Sequence, residues 1–362
     1  MPSQPPDRTP SAASLYARLA DLPLLIEEHA FEALEQTVPS GWSRTTTVIH
    51  LRGGGHEGCG EDVTWNDEDH RRLHEDTAFE LAGRHTLDGF SRRLDELELF
   101  PQPPSRSDYP LYRRWGFESA ALDLALQQAG TSLADALGMA ARPLNFVVST
   151  GLGEPARTDA LCERLDTYPG MRFKLDLSES WTPELVAELA ELGVVDTVDL
   201  KGLYHGADFS GPPADPEQYR AVAEGLTDCW IEDPLLNDDT RAALEGHLDR
   251  VTWDANLHSL ADIVALPSKP RCVNIKPSRF GFLSELLRIY EYCRGQGIAM
   301  YAGGQFELGI GREQAQYLAS LFHPDAGNDI APLAYNRPKL ERGLPTSPLE
   351  ARPAARGFRW QA

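Results

Sequence analysis

The sequence has 362 residues, 41% of them hydrophobic, enough for one large barrel with an attached smaller domain. Its 34 basic and 55 acidic residues leave a net charge of −21, a field that repels nucleic-acid phosphates and anionic lipid alike. An anionic substrate would therefore need local positive charge from lysine, arginine or a metal ion.

The five cysteines (Cys59, Cys162, Cys229, Cys272 and Cys293) are odd in number, widely spaced and form no CxxC or Cys/His cluster in the sequence. This argues against a disulfide framework or a zinc knuckle and fits a reducing compartment. Met1 to Pro10 is polar and proline-rich, without the charged and apolar regions of a signal peptide. No apolar run approaches the ~20 residues of a membrane helix. A cytoplasmic protein with neither nucleic-acid nor membrane partners is expected.

In chain order, residues 1–15 are expected to be disordered. Leu24 to Trp65 reads as strands: Thr45 to Leu51 is rich in β-branched residues, and Gly53-Gly54-Gly55 supplies a tight turn into the next run. A polar helical region is expected from Asp67 to Leu97, and a helix from Phe117 to Leu137 closing at Gly138. Residues 16–142 thus form a small α+β domain. From Pro143 onward short strands alternate with helical stretches of about a dozen residues, the pattern of βα units on a parallel sheet. The strands are expected at Asn145–Thr150, Arg172–Leu177, Thr197–Lys201, Cys229–Asp233, Val251–Asp254, Cys272–Lys276, Ala299–Ala302 and Asp329–Ala331. Thr182 and Pro183 suit the N-cap and first position of the helix after the second of these. Eight units in under 200 residues suit a closed barrel, and no glycine-rich dinucleotide fingerprint follows the first strand. Residues 336–362 are expected to pack back on the first domain.

Charged residues fall at the ends of successive strands: Lys174, Asp199, Glu232, Asp254 and Lys276, spaced by 25, 33, 22 and 22 residues. In a barrel, all strand carboxyl ends meet at one mouth. Three carboxylates meeting there without a cation would repel one another and raise their own pKa values. With oxygen donors and no nearby Cys or His, Mg²⁺ is the expected ion and Mn²⁺ the second choice.

The order of these motifs resembles the enolase superfamily, in its muconate-lactonizing and mandelate-racemase branches. Ile231-Glu232-Asp233-Pro234 and Asn274-Ile275-Lys276-Pro277-Ser278-Arg279-Phe280-Gly281 are similar to the fourth- and sixth-strand motifs. Gly58-Cys59-Gly60-Glu61 resembles the capping-domain GxGE, and Ala120 to Ala125 the helix leading into the barrel. The resemblance covers residues 25 to 335 and implies a (β/α)₇β TIM-type barrel over 143–335 with an N-terminal α+β capping domain. It also implies Asp199, Glu232 and Asp254 as metal ligands and Lys276 as an acid/base. The implied activity is that of a lyase or isomerase removing the proton α to a substrate carboxylate through a metal-stabilised enediolate. A small carboxylate is then the partner, and assembly into a homo-oligomer is compatible with such a barrel.

One departure stands out. The family's second strand commonly carries Lys-x-Lys, and this chain has Lys174-Leu175-Asp176. Lys174 and Asp176 share a strand face, so Asp176 either pairs with Lys174 and holds it as an alternative catalytic group, acts itself as the base, leaves Lys276 alone in that role, or forms a structural pair with Lys174 that has no chemical part. A racemase wants a base on each face of its substrate, whereas elimination or cycloisomerisation manages with one. Lys201, Arg279, Gln305 and Glu307 are candidate substrate contacts, with Tyr204, His205 and Arg312 near the same mouth. A Schiff-base aldolase using Lys174 or Lys276 and a non-catalytic metabolite-binding protein are the competing readings.

Overall fold

The β-branched run around Thr45–Leu51 becomes the central strand of an antiparallel sheet in the structure, a computed structural model that describes residues 14–37, 43–76, 79–205, 210–337 and 339–360. The segment expected to be disordered, 1–15, lies outside the described residues except for its last two. Strand β1 (Pro23–Ile26) comes first, followed by β2 (Glu28–Thr37), β3 (Ser43–Gly53) and β4 (His56–Asp62), the last three forming one sheet in the order β2-β3-β4. Helix α1 (Asp67–Asp76) is next, then β5 (Gly83–Thr86), which pairs antiparallel with β1, then α2 (Leu87–Asp95). The polar region expected as one helical stretch from Asp67 to Leu97 is therefore divided by a strand. Thr86 ends that strand and caps α2, its side chain accepting from the Gly89 N–H.

Helix α3 (Tyr109–Ala129) lies against β4, so closely that two strand positions must be glycine. A Cβ at Gly58 would stand 2.3 Å from the Ala120 carbonyl oxygen, and one at Gly60 2.1 Å from that of Gly116. The helix expected over Phe117–Leu137 is in fact two. Gly130, at φ +67°, ends α3 in the left-handed conformation, and Ser132 caps a short α4 (Leu133–Leu137) by accepting from the Asp135 N–H.

The βα alternation follows: β6 (Val148–Gly151), α5 (Asp159–Thr167), β7 (Phe173–Asp176), α6 (Pro183–Leu192), β8 (Val195–Asp199), α7 (Pro216–Gly225), β9 (Trp230–Glu232), α8 (Asp238–Ala243), β10 (Val251–Thr252) and α9 (Leu260–Val264). Then come β11 (Cys272–Ile275), α10 (Pro277–Phe280), α11 (Leu283–Gln296), β12 (Ala299–Ala302) and α12 (Ile310–Phe322). Thr182 caps α6 by accepting from the Leu185 N–H, with Pro183 at the first helical position. Strands β6 to β10 form a parallel sheet in chain order, and β11 and β12 a second parallel pair. Backbone bonds link these pieces: Asn274 N–H to the Trp253 carbonyl (3.0 Å), Asp329 N–H to that of Ala302 (2.8 Å) and Val147 N–H to that of Asn328 (2.9 Å). The expected eighth strand, Asp329–Ala331, is reduced to isolated bridges, Gly303 with Asp329 and Phe146 with Asn328. Its ladder is replaced by a side chain, because the Asn328 amide accepts from the Ala302 N–H and donates to the Asn145 carbonyl. Leucine, valine and isoleucine on the face of the parallel strands opposite the charged residues fill the core, Leu175, Val198, Ile231, Val273 and Ile275 among them.

The last residues return to α3. Asp123, buried in that helix, accepts from the Phe358 N–H (2.8 Å) and the Arg359 Nε (2.5 Å). Among the described residues no helix is long and apolar enough to cross a membrane.

Candidate active site

Parallel register alone puts the charged residues side by side. Asp176 pairs with Asp199 and Asp199 with Glu232, while Asp254 lies two residues past Thr252, the partner of Glu232. The carboxylates of Asp199, Glu232 and Asp254 are fully buried, and each offers an oxygen within 4.8 Å of the others. Three lysines meet them. Lys174 Nζ is in direct contact with Glu232 and 3.4 Å from Asp199. Lys201 Nζ lies 2.5 Å from Asp199 and 3.1 Å from Asp176, and Lys276 Nζ 2.7 Å from Asp254. Arg279 donates to the Asp254 carbonyl at 2.7 Å and stands 3.6 Å from its carboxylate. Asp176, half-exposed, thus has its ion pair with Lys201 on the neighbouring strand.

Local backbone strain builds this arrangement. Lys201, Asp233 and Phe306 are non-glycine residues with φ of +54°, +51° and +57°, each shortly beyond the end of a parallel strand. Such conformations cost ~1–3 kcal/mol each and persist only where the surroundings impose them. For Lys201 the constraint is Asp199, whose Oδ1 accepts the Lys201 N–H at 3.0 Å. Asp233 in turn accepts from the N–H groups of Asp254 (2.8 Å) and Ala255 (2.9 Å), which orients the end of β10. Gly303 is needed for clearance: a Cβ there would meet Lys276 Cε at 2.5 Å.

Several participants are not among the sequence candidates. Tyr301 donates its hydroxyl to Glu232 Oε2, and Asn274 Nδ2 approaches the same oxygen at 3.4 Å. Asp329 stands 3.8 Å from Lys174, and Tyr204, which is a candidate from the sequence, reaches Asp254 at 3.3 Å. A signal for Asn274 was present, since it precedes Lys276 by two residues on one strand, and Tyr301 is its partner on β12. His205 pairs through its backbone with Ser210.

The charges divide unequally. Burial drives the Glu232 carboxyl well above the usual range; Lys174 opposes it, and Asp199, Asp254 and Asp233 add to it. Burial also acts against ionised Asp254, but Arg279, Lys276 and Lys174 overcome it and hold that carboxyl well below the ordinary value. Asp199 is held low in the same way by Lys201 and Lys174. Asp233 is pushed up to about 7 by burial and by its neighbours Asp254 and Asp199. For both Lys174 and Lys201 burial disfavours the charge, yet the surrounding carboxylates raise them well above free lysine.

The loop after β12 closes one side. Gln305 accepts from Trp65 Nε1 (3.1 Å) and donates to the Tyr112 hydroxyl (3.2 Å), while Arg44 donates to its carbonyl. Glu307 accepts from the Gln305 N–H and lies 3.6 Å from Arg312, whose other donors go to the carbonyls of Glu307 and Ala331. Glu61, at the end of β4, accepts the N–H groups of Leu308, Gly309 and Gly311 at the start of α12. The small sheet and this loop are thereby joined.

The donor set fits a hard divalent cation. It consists of carboxylate oxygens only, and Asp254 Oδ1 is buried without a hydrogen-bond partner. The lysines neutralise the carboxylates but leave that oxygen unserved.

Several known proteins share this chain's features. The o-succinylbenzoate synthase of Bacillus subtilis (strain 168) is 30% identical over 216 residues, 57% of this chain and 55% of that one, so the match spans about half the length of that relative. The N-succinylamino acid racemase of Thermus thermophilus is 28% identical over 301 residues, covering 77% of this chain and 76% of that one. In structure, the dipeptide epimerase from Methylococcus capsulatus complexed with Mg ion matches with a TM-score of 0.68 at 21% identity, over 93% of this chain and 99% of that one. The muconate lactonizing enzyme from Pseudomonas putida matches with a TM-score of 0.65 at 18% identity, over 92% and 96%. With the buried carboxylates on neighbouring parallel strands, these likenesses define the class: this is an enolase-superfamily chain. Two family models cover nearly all of the described fold, at residues 17–136 and 140–337. The chain accordingly belongs to the family described as Domain of unknown function (DUF8230), through both its N-terminal and C-terminal domains.

Proposed function

We propose that this protein is a Mg²⁺-dependent lyase or isomerase that abstracts the proton α to the carboxylate of a small organic acid. The observation that carries the reading is the buried triad Asp199, Glu232 and Asp254 with Lys276 Nζ 2.7 Å from its edge. The three carboxylates would hold the ion, which when bound neutralises charge on the substrate carboxylate and so acidifies the neighbouring C–H. Lys276 takes the proton at Nζ. Arg279 and Tyr204 hold Asp254 in place, Asp233 fixes the backbone beneath it, and Tyr301 and Asn274 orient Glu232. In this reading the linked parallel strands form a (β/α)₇β barrel over 143–335, residues 16–142 cap it, and the 305–307 loop bounds the substrate chamber. Mn²⁺ is the alternative ion.

Within that class we favour chemistry with a base on one face. Asp176 stands where the resemblance expects a second lysine, and it is committed to Lys201 at 3.1 Å. Lys201 is in turn surrounded by carboxylates that keep it protonated, so it serves as a fixed cation for an anionic substrate. This arrangement supports elimination or cycloisomerisation over racemisation, and the similar proteins named above include a lactonizing enzyme as well as a racemase. The Schiff-base reading is disfavoured at Lys174, because carboxylates holding its ammonium charged oppose the free amine that such chemistry requires.

The test is α-proton exchange: protein in D₂O with pooled carboxylic acids, with Mg²⁺ or with EDTA, read by mass spectrometry. Metal-dependent deuterium uptake into one acid, lost in Lys276→Ala by ~10²–10⁴-fold, is expected. Uptake undiminished in EDTA would overturn the proposal. Loss of the substrate's chirality during turnover would overturn the one-face reading alone.

A further inference from the structure

A second group of metal-binding side chains lies on the antiparallel sheet, away from the parallel strands. His50 in β3 and Cys59 in β4 are cross-strand partners, and Glu57 shares the face of Cys59 two residues earlier. His50 Nδ1 is 3.3 Å from Glu57 Oε1 and 3.4 Å from Cys59 Sγ, and that sulfur is 3.8 Å from Glu57 Oε2. A tetrahedral zinc ion, with bonds of ~2.0–2.2 Å to nitrogen and oxygen and ~2.3 Å to sulfur, sets its ligand atoms roughly 3.3–3.6 Å apart. The imidazole nitrogen and the thiol sulfur already stand at such a separation, and the sulfur is 3.8 Å from Glu57 Oε2, the carboxylate oxygen that Arg52 does not hold.

The other ring nitrogen strengthens the case. His50 Nε2 lies 3.2 Å from Glu32 Oε2 on β2. Metal-binding imidazoles habitually donate their second N–H to a carboxylate in this way, which fixes the tautomer and turns the free lone pair toward the ion. With the proton on Nε2, Nδ1 presents a lone pair to the Glu57 carboxylate, and the thiol proton is the single one among the three facing groups. A cation would resolve that arrangement of acceptor against acceptor. The nearby cations sit at its margins: Arg52 donates to Glu57 Oε1 at 2.7 Å, and Arg359 flanks the thiol from the C-terminal tail. Glu57 Oε2 remains for an ion. Burial pushes the Cys59 thiol up to about 11, so the thiolate forms only as the ion displaces its proton to solvent.

We propose that His50 Nδ1, Cys59 Sγ and a Glu57 carboxylate oxygen bind one Zn²⁺, with water as fourth ligand, as a staple across the β3–β4 hairpin. No redox change is involved: three coordinate bonds form and the Cys59 S–H proton leaves. The staple would stiffen the strand that carries Glu61, the residue holding the loop after β12.

The test uses the full-length protein in saturating Mg²⁺, titrated with Co²⁺ as a coloured stand-in for Zn²⁺. One equivalent should give a thiolate-to-cobalt charge-transfer band that Zn²⁺ bleaches. The band should vanish in Cys59→Ser and in His50→Gln, persist in Cys162→Ser, and require ~10–100-fold more Co²⁺ in Glu32→Gln. Should Cys59→Ser fail to fold by circular dichroism, His50→Gln decides the same point. A wild-type protein without the band, or a band surviving in both ligand variants, overturns the site.

Discussion

Replacing Lys174 by Met would separate the two roles of the buried charge cluster. Its ammonium touches Glu232 and stands 3.4 Å from Asp199, with all three side chains nearly inaccessible to water. Removing one partner of a buried ion pair costs ~3–5 kcal/mol, because the other charge is left uncompensated. Glu232 is already driven upward by burial and by three neighbouring carboxylates, so it escapes part of that cost by taking up a proton. The expected loss in EDTA is therefore at the lower end, about 3 kcal/mol. Mg²⁺ at a hundredfold excess over its dissociation constant should return ~2.7 kcal/mol. In the wild-type protein the ion must first shift the Lys174 ammonium off Glu232, so its dissociation constant should be higher and its stabilisation smaller at equal Mg²⁺ concentration. Thermal melts of both proteins with Mg²⁺ and with EDTA make the measurement. A variant that melts with the wild type in EDTA, or that gains no more from Mg²⁺, would refute the account of Lys174 as the internal counter-charge of the carboxylate triad.

Three further outcomes are expected. Gly60→Ala should destabilise the protein by roughly 2 kcal/mol or more in urea unfolding, because its Cβ would fall 2.1 Å from a helix carbonyl that cannot move aside. Glu61→Gln replaces a carboxylate that accepts three N–H groups with an amide carrying one acceptor oxygen; a loss of ~1–3 kcal/mol and reduced proton exchange should follow. His323 is buried beside Asn328, and burial lowers it to about 4 from 6.5. The depressed value means its contribution is full above pH 6.5 and is lost as pH falls toward 4. At ~1.4 kcal/mol per unit this is about 3 kcal/mol, and urea titrations at pH 7 and pH 4 should show it in the wild type and not in His323→Gln.

Much of the site could be read in advance because successive βα units on parallel strands impose one period on its chemistry. Lys174, Asp199, Glu232, Asp254 and Lys276 recur at roughly the length of a βα unit, and the structure gathers all five. The partner of Asp176 could not be read that way. Its pairing with Lys201 depends on a left-handed backbone at Lys201, which no local pattern announces in a lysine. Gln305 and Glu307 were visible as polar residues after a strand, but their bonds to Trp65 and Tyr112 and to the Gln305 N–H depend on distant or local backbone placement. Tyr301 looks like an ordinary strand aromatic until its hydroxyl is seen on Glu232. Among the elements, Gly130 and Ser132 carried the signals that divide one expected helix into two. The strand expected at Asp329–Ala331 is missing for a subtler reason, the Asn328 amide standing in for ladder bonds.

The bond between Glu61 and the Leu308 N–H joins residues 247 apart in the chain, and it has a consequence for how the protein comes into being. During synthesis the small sheet emerges first and can form from local pairings, while its terminal carboxylate waits for a loop made some 250 residues later. At ~5–20 residues per second, that wait lasts on the order of tens of seconds. Asp123, buried in α3, waits nearly as long for Phe358 and Arg359, 235 and 236 residues further on. Two acids in the first-made half, of which Asp123 already accepts from the Cys59 N–H, thus complete their bonding only with the last-made one, so the site is among the final parts of the molecule to become ordered, and a ribosome that stops early releases a chain without it.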